Sequence, residues 1–224
     1  FHMELNGKTA VVTGASGAIG SALTKELESF GITCIPVDKN LEFGCDFSNS
    51  TEVSKLAIHL SNKFPKIDFL FNVAGIGIYK NVSDLEIVEW ENSFSINVTA
   101  PFIFSKYLVK CLSKSDNSMI FNIGSGMGVI PAKDRTAYCS SKFALRGFSL
   151  SLNKELKEKN IDVSLFTLGS IMTPFGTGGI DKRIELERQG KKYLTIDEVV
   201  QKITSIMKSE NREAEYVMYP DGYM

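Results

Sequence analysis

Apolar runs of strand length alternate with longer segments of helical period along nearly the whole chain, and this alternation constrains the fold more than any other feature. Strands joined by helical segments of that length lie parallel in one sheet, with the helices covering its faces. Residues 9–13 (TAVVT) form a β-branched run that leads into a glycine-rich turn, and residues 18–30 follow with apolar positions at helical spacing, ending before Gly31. Residues 33–37 predict the second strand, and residues 67–72, closed by Gly75, predict another. The stretch 38–47 is too short for a crossover helix, so the second connection is expected to be a bare turn leading to a small strand near Cys45. Helices are expected at 51–64, 84–90, 98–112, 137–159 and 195–208, and strands at 119–123, 163–168 and 216–219. Residues 169–194 scatter glycine and charge with weak period, which predicts a mobile flap over a site.

Composition narrows the class of molecule. Of 224 residues, 43% are hydrophobic and 23% charged, enough apolar mass for a core and far from a disordered chain. Lys plus Arg number 25 against 26 Asp plus Glu, with no basic block to neutralise a row of phosphates, so nucleic acid is not an expected partner. No apolar run reaches membrane-spanning length and no basic-then-apolar leader pattern is present, so no membrane partner is expected and the cytoplasm is the expected location. Cys34, Cys45, Cys111 and Cys139 fall singly and the histidines are only His2 and His59, which disfavours a disulfide scaffold or a metal site. Phe1 and His2 precede a methionine and read as an appendage to a natural start at Met3. With no repeat and no Pro/Ser linker, residues 3–224 read as one α/β domain, a doubly wound parallel sheet.

The turn Thr13-Gly14-Ala15-Ser16-Gly17-Ala18-Ile19-Gly20 lies between the first strand and the first helix. Small residues there let backbone amides and the helix N-terminus approach a pyrophosphate. Alone it could be a tight turn. Asp38, at the end of the second strand, adds a carboxylate that can accept from a ribose diol and repel a 2′-phosphate, favouring NAD over NADP. Lys39 next door is the opposing feature, since its ammonium could pair with a 2′-phosphate and keep NADP possible.

Tyr138 and Lys142 lie four apart in a helical segment and so share one face. A phenol ordinarily titrates near ~10, and a nearby fixed cation favours its anion, which suits acid/base work near neutrality. Ser125 follows the strand 119–123, at the carboxyl end of the sheet where ligands of such folds sit.

Thr13 to Gly20, Asn72-Val73-Ala74-Gly75, Asn97, Ser125 and Tyr138-x-x-x-Lys142 together resemble, in order and spacing, the short-chain dehydrogenases/reductases. The resemblance spans nearly the whole chain. It implies a single Rossmann-like domain that moves a hydride between a nicotinamide cofactor and a small carbonyl or secondary-alcohol substrate. It further implies Tyr138 as general acid/base, Lys142 lowering its pKa and holding the nicotinamide ribose, Ser125 bonding the substrate oxygen and Asn97 holding a relay water. Gly14, Ser16, Gly17, Ile19, Gly20, Asp38, Asp46, Asn72, Ala74, Gly75 and Thr173, with Tyr138 and Lys142, match positions that touch the dinucleotide. Three positions depart from the family's usual pattern: Ala18 replaces the middle glycine of the turn, Val73 the second asparagine, and Leu168 the proline before Gly169.

A dinucleotide sensor or scaffold on the same fold is the competing reading, against which the intact Asn97, Ser125, Tyr138 and Lys142 argue. The flap mixes Ile171, Met172, Phe175 and Ile180 with Asp181, Lys182 and Arg183 and admits an apolar or an acidic substrate, while Ile76 to Tyr79 and Met127 to Ile130 are expected to add apolar walls, so a small or medium, mostly apolar carbonyl compound is preferred on composition. The resemblance also implies a homodimer or homotetramer packed through the helices 98–112 and 137–159, where Phe102, Tyr107, Phe143 and Phe148 could serve.

Overall fold

A computed structural model describes residues 4–222, so the reading of residues 1–3 lies outside the described residues. Six strands form one parallel sheet: β1 (Thr9–Thr13), β2 (Thr33–Val37), β3 (Phe69–Asn72), β4 (Ser118–Ile123), β5 (Ile161–Leu168) and β6 (Glu215–Met218). Their order is β2-β1-β3-β4-β5-β6, so the winding reverses beside β1. The helices are α1 (Ala18–Ser29), α2 (Ser50–Lys63), α3 (Ile87–Phe94), α4 (Ala100–Leu112), α5 (Thr136–Leu156), α6 (Gly179–Arg188) and α7 (Ile196–Met207).

The central strands are apolar on both faces because helices cover both. Phe69, Phe71, Met119 and Phe121 point to the side where Leu23 and Leu27 of α1 meet Val199 and Ile203 of α7. The alternate residues Leu70 and Ile120 point to the side of Val53 and Leu60 of α2, Phe104 and Leu108 of α4, and Leu156 of α5. Phe71 and Phe121 stack across β3 and β4 with centroids 4.9 Å apart and planes 11° from parallel.

Three expectations from sequence are corrected. No strand forms at Cys45; residues 38–47 make only a single parallel bridge, Phe43 to Val37, and α2 supplies the crossover to β3 directly. The turn is too tight for more, since a side chain on Gly44 would meet the carbonyl oxygens of Lys39 and Leu41 at 2.8 and 2.9 Å. The helices expected at 84–90 and 98–112 are one continuous helical run, 87–112, interrupted by a π turn at Ser95–Thr99. Pro101 gives the reason: it has no N–H to donate to the Asn97 carbonyl in α register, and a π turn absorbs the mismatch. The stretch 169–194 is not irregular throughout, because it contains α6, a helix with no buried residue and hence no apolar stripe to read.

Candidate active site

The carboxyl ends of the strands open into a cleft of about 1020 Å³. It is lined on one side by the turn after β1 and by Asp38 and Asp46, and on the other by Ser125, Tyr138, Lys142 and the stretch after β5. The turn after β1 is built for close approach. Gly14 has φ +67°, and a Cβ there would lie 2.7 Å from the Ala74 Cα. A Cβ on Gly20 would collide with the Gly14 carbonyl, so the start of α1 can pack on the turn only without one. Thr13 ties the turn to the next strand: its Oγ1 accepts from the N–H groups of Val73 (3.1 Å) and Ala74 (3.2 Å) and donates to the Phe71 carbonyl. The N-cap of α1 is Gly17, and no side chain caps the first turn, which leaves a helix N-terminus facing the cleft.

Asp38 accepts from the N–H of Ser16 at 3.0 Å through one carboxylate oxygen and from the N–H of Lys39 at 2.7 Å through the other. The Lys39 ammonium does not turn toward Asp38 but pairs with Asp46 at 3.1 Å. Asp46 also accepts from the hydroxyl and N–H of Ser48, and these bonds with Lys39 hold its carboxyl down to about 2.

Lys142, on α5, is the only lysine buried in the cleft wall among the described residues. Its ammonium donates to the Ile123 carbonyl at 2.8 Å and lies 5.8 Å from the Tyr138 ring centroid. Complete removal from water pushes its pKa down to about 8. Tyr138 is 6% exposed, its ring held edge-on by Tyr79 at 5.6 Å and against Phe175 at 5.9 Å. Ser125 is half-buried and caps the short helical turn Gly126–Gly128, its hydroxyl accepting from the Met127 N–H at 3.2 Å.

Of the expected site residues, Gly14, Ser16, Gly17, Ile19, Gly20, Asp38, Asp46, Ala74, Gly75, Ser125, Tyr138, Lys142 and Thr173 all line the cleft. Two do not. The side chain of Asn97 is spent on its neighbours: Oδ1 accepts from the Ile76 N–H at 2.8 Å, and Nδ2 donates to the Ile76 carbonyl and the Ser141 hydroxyl. Asn72 is turned into the sheet, where its Nδ2 donates at 2.7 Å to Asn122, which in turn donates to Ser149. Asn72 therefore ties β3 to β4 instead of presenting its side chain to the cleft.

Sequence reasoning placed Tyr79 and the flap's Arg183 at the substrate side but missed Arg135, Lys191 and Tyr193, which line the far wall with them. The Arg135 guanidinium lies 3.9 Å over the Tyr79 ring, and Arg183 and Lys191 lie 5.6 and 5.4 Å from the Tyr193 centroid. Burial pushes the Tyr79 phenol up, opposed by Arg183 and Arg135. Of the cations, only the run Lys182-Arg183 was read from the sequence, as admitting an acidic substrate.

The family model described as short chain dehydrogenase matches residues 39–183. The chain is 26% identical over 194 residues to a D-threitol dehydrogenase of Mycolicibacterium smegmatis, covering 79% of this chain and 75% of the relative. Among solved structures it resembles a 4-hydroxyisoleucine dehydrogenase complexed with NADH (TM-score 0.81, 25% identity, 95% and 96% of the two chains). It also shares its fold with a short chain dehydrogenase from Burkholderia cenocepacia in complex with NADP (TM-score 0.84, 23% identity, 98% of each chain).

Proposed function

The chain belongs to the short-chain dehydrogenase family and is a nicotinamide-dependent oxidoreductase of carbonyl and secondary-alcohol groups, and from that premise we propose that Tyr138 is its general acid/base and NAD its cofactor. The buried pair on α5 carries this reading: a phenol beside an ammonium that has lost its water.

The glycine turn and the uncapped start of α1 fit a pyrophosphate, with Gly14, Ser16, Gly17, Ile19 and Gly20 around it. Asp38 would take the adenosine ribose diol. Lys39, paired with Asp46, is drawn away from a 2′-phosphate, and this pairing supports NAD over NADP. Asp46 would border the adenine and Ala74, Gly75 and Thr173 the nicotinamide half. When bound, a nicotinamide would supply or accept the hydride. Tyr138 would exchange the proton on the substrate oxygen, Ser125 would donate to that oxygen, and Lys142 would hold positive charge near the Tyr138 ring and reach the nicotinamide ribose. Asn97 has only its main-chain carbonyl left to hold a relay water, and Pro101 leaves that carbonyl without its α-register donor.

Free thiols at all four cysteines support a reducing compartment such as the cytoplasm. Phe102 and Phe143, each more than two-fifths exposed on α4 and α5, support a homodimer or homotetramer joined through those helices. Among the described residues no helix is long and apolar enough to cross a membrane.

Calorimetric titration with NADH and NADPH, followed by turnover of a carbonyl panel by wild type and Tyr138→Phe, tests the reading. NADH should bind more tightly, and Tyr138→Phe should lose turnover while binding cofactor within a few-fold of wild type. Turnover retained in that variant refutes the role of Tyr138, and tighter NADPH refutes the cofactor choice.

A further inference from the structure

The charges in the cleft are segregated. The carboxylates that line it, Asp38 and Asp46, sit at the ends of β2 and the turn beyond, whereas Tyr138 faces the end of β4, three strand spacings or about 14 Å away. Beyond Tyr138 come Tyr79 and Phe175, in ring contact with it, and beyond those Arg135, Arg183 and Lys191. None of these three cations has a carboxylate within ion-pair distance among the described residues. Lys182 differs, being paired with Glu185 at 2.8 Å. Arg135 donates to the Asp134 carbonyl and Arg183 to the Phe175 carbonyl, contacts that aim the guanidinium groups without neutralising them. The Arg135 Nε and the Tyr193 hydroxyl are buried with no hydrogen-bond partner among the described residues. The cations are close enough to act on one another: loss of water first, then Arg183 and Arg135, holds the Lys191 ammonium below its ordinary value.

Such an arrangement costs free energy unless an anion is placed in it, because like charges repel and buried donors want acceptors. Two guanidinium groups, a phenol and an ammonium form a donor set suited to a carboxylate or a phosphate. The cofactor's own phosphates are expected at the glycine turn, under β1, leaving this end for the other reactant.

We infer that Arg135, Arg183, Lys191 and Tyr193 form an anion pocket that selects carbonyl or hydroxy compounds carrying a carboxylate or phosphate group and fixes their reacting carbon at Ser125 and Tyr138. The inference rests on the dehydrogenase reading of the same cleft. Arg135 and Tyr138 both pack on the ring of Tyr79, so a chain of a few carbons joins the anionic group to the carbonyl. This takes up the acidic alternative that the flap left open, over the mostly apolar compound preferred on composition.

Matched pairs test it: short-chain keto acids against their methyl esters, and dihydroxyacetone phosphate against dihydroxyacetone, each reduced with NADH or NADPH. Wild type should favour the anionic member by about 10- to 100-fold in kcat/KM, as expected for a charge-assisted contact. That ratio should collapse in Arg183→Gln and Arg135→Gln, mainly through KM, and recover in part in Arg183→Lys. A preference near one in wild type, or one unchanged in the variants, overturns the inference. A second arm needs no turnover: glutarate and inorganic phosphate are titrated calorimetrically into the protein saturated with NADH. Binding that disappears in the Arg135→Gln/Arg183→Gln double variant supports the pocket, and the better of the two anions identifies the group. No anion binding to protein that holds NADH overturns the pocket, as does a double variant whose only defect is weaker NADH. Anion binding by protein that takes up neither NADH nor NADPH overturns the dehydrogenase reading instead.

Discussion

Replacing Lys142 with methionine should make the protein more stable and inactive. The wild-type ammonium is buried and its pKa stands near 8 where a free lysine titrates at 10.5. At about 1.4 kcal/mol per pH unit, holding the charge there costs the folded state about 3 kcal/mol at neutral pH. Methionine fills nearly the same length without charge, and the loss of the bond to the Ile123 carbonyl takes back about 1 kcal/mol. The net gain is about 2 kcal/mol, or roughly 4 to 8 °C in Tm for a chain of this size. The dependence on pH is the sharper signature. Between pH 8 and 10.5 the unfolded lysine binds a proton that the folded one has released, so wild-type stability attributable to this group rises with pH across that window. Stability relative to the fully protonated state is therefore present above 10.5 and lost as pH falls through 8. Urea melts of wild type and Lys142→Met at a series of pH values should show an advantage for the variant that is full at pH 7 and shrinks through the window. An advantage that does not change with pH, or a variant less stable at pH 7, refutes the idea that the lysine is held charged in a dry site at a cost.

Three further substitutions separate the cofactor cradle from the sheet interior. Gly20→Ala places a methyl on the Gly14 carbonyl and should weaken NADH at least tenfold by calorimetry, whereas Gly17→Ala meets the same oxygen at 3.2 Å and should cost less; the reverse ranking would count against the close packing of turn and helix. Asn122→Ala removes both the acceptor of Asn72 and the donor to Ser149 in a fully buried network, and should cost about 2 to 4 kcal/mol in urea unfolding; a cost below 1 kcal/mol would show that the network is not holding β3 to β4.

The strands and long helices were legible because burial on both faces gives continuous apolar runs and burial on one face gives a stripe. Residues 9–13, 33–37 and 119–123 fall within a residue of the observed β1, β2 and β4. Tyr138 and Lys142 were legible for the same reason, since a helix puts positions four apart on one face. What escaped notice depends on contacts between segments. The side chain of Asn72 faces Asn122 across the sheet, and one sequence carries no register to reveal it. The π turn at Asn97 was written locally, in Pro101, but a proline in the first turn of an expected helix reads as a start and not as a widened middle. The helix α6 buries no apolar residue, so periodicity had nothing to find.

The charge balance of the whole chain concealed the electrostatics of the cleft. A formal net of -1 leaves almost no net charge to steer a charged partner from afar. Inside the cleft the signs separate: Asp38 and Asp46 at one end, Arg135, Arg183 and Lys191 at the other. At physiological ionic strength a field decays over about 8 Å, so ends separated by more than the roughly 14 Å from the carboxylates to Tyr138 are read independently, each by the part of a ligand that touches it. On the proposed reading the acidic end would discriminate among dinucleotides by repelling a 2′-phosphate, and the cationic end among carbonyl compounds by what it attracts. Reduction at a carbon between them then requires one molecule to satisfy each end in the same orientation. On that reading, the hydride donor and the acceptor would meet beside Tyr138 without contact between their charged groups.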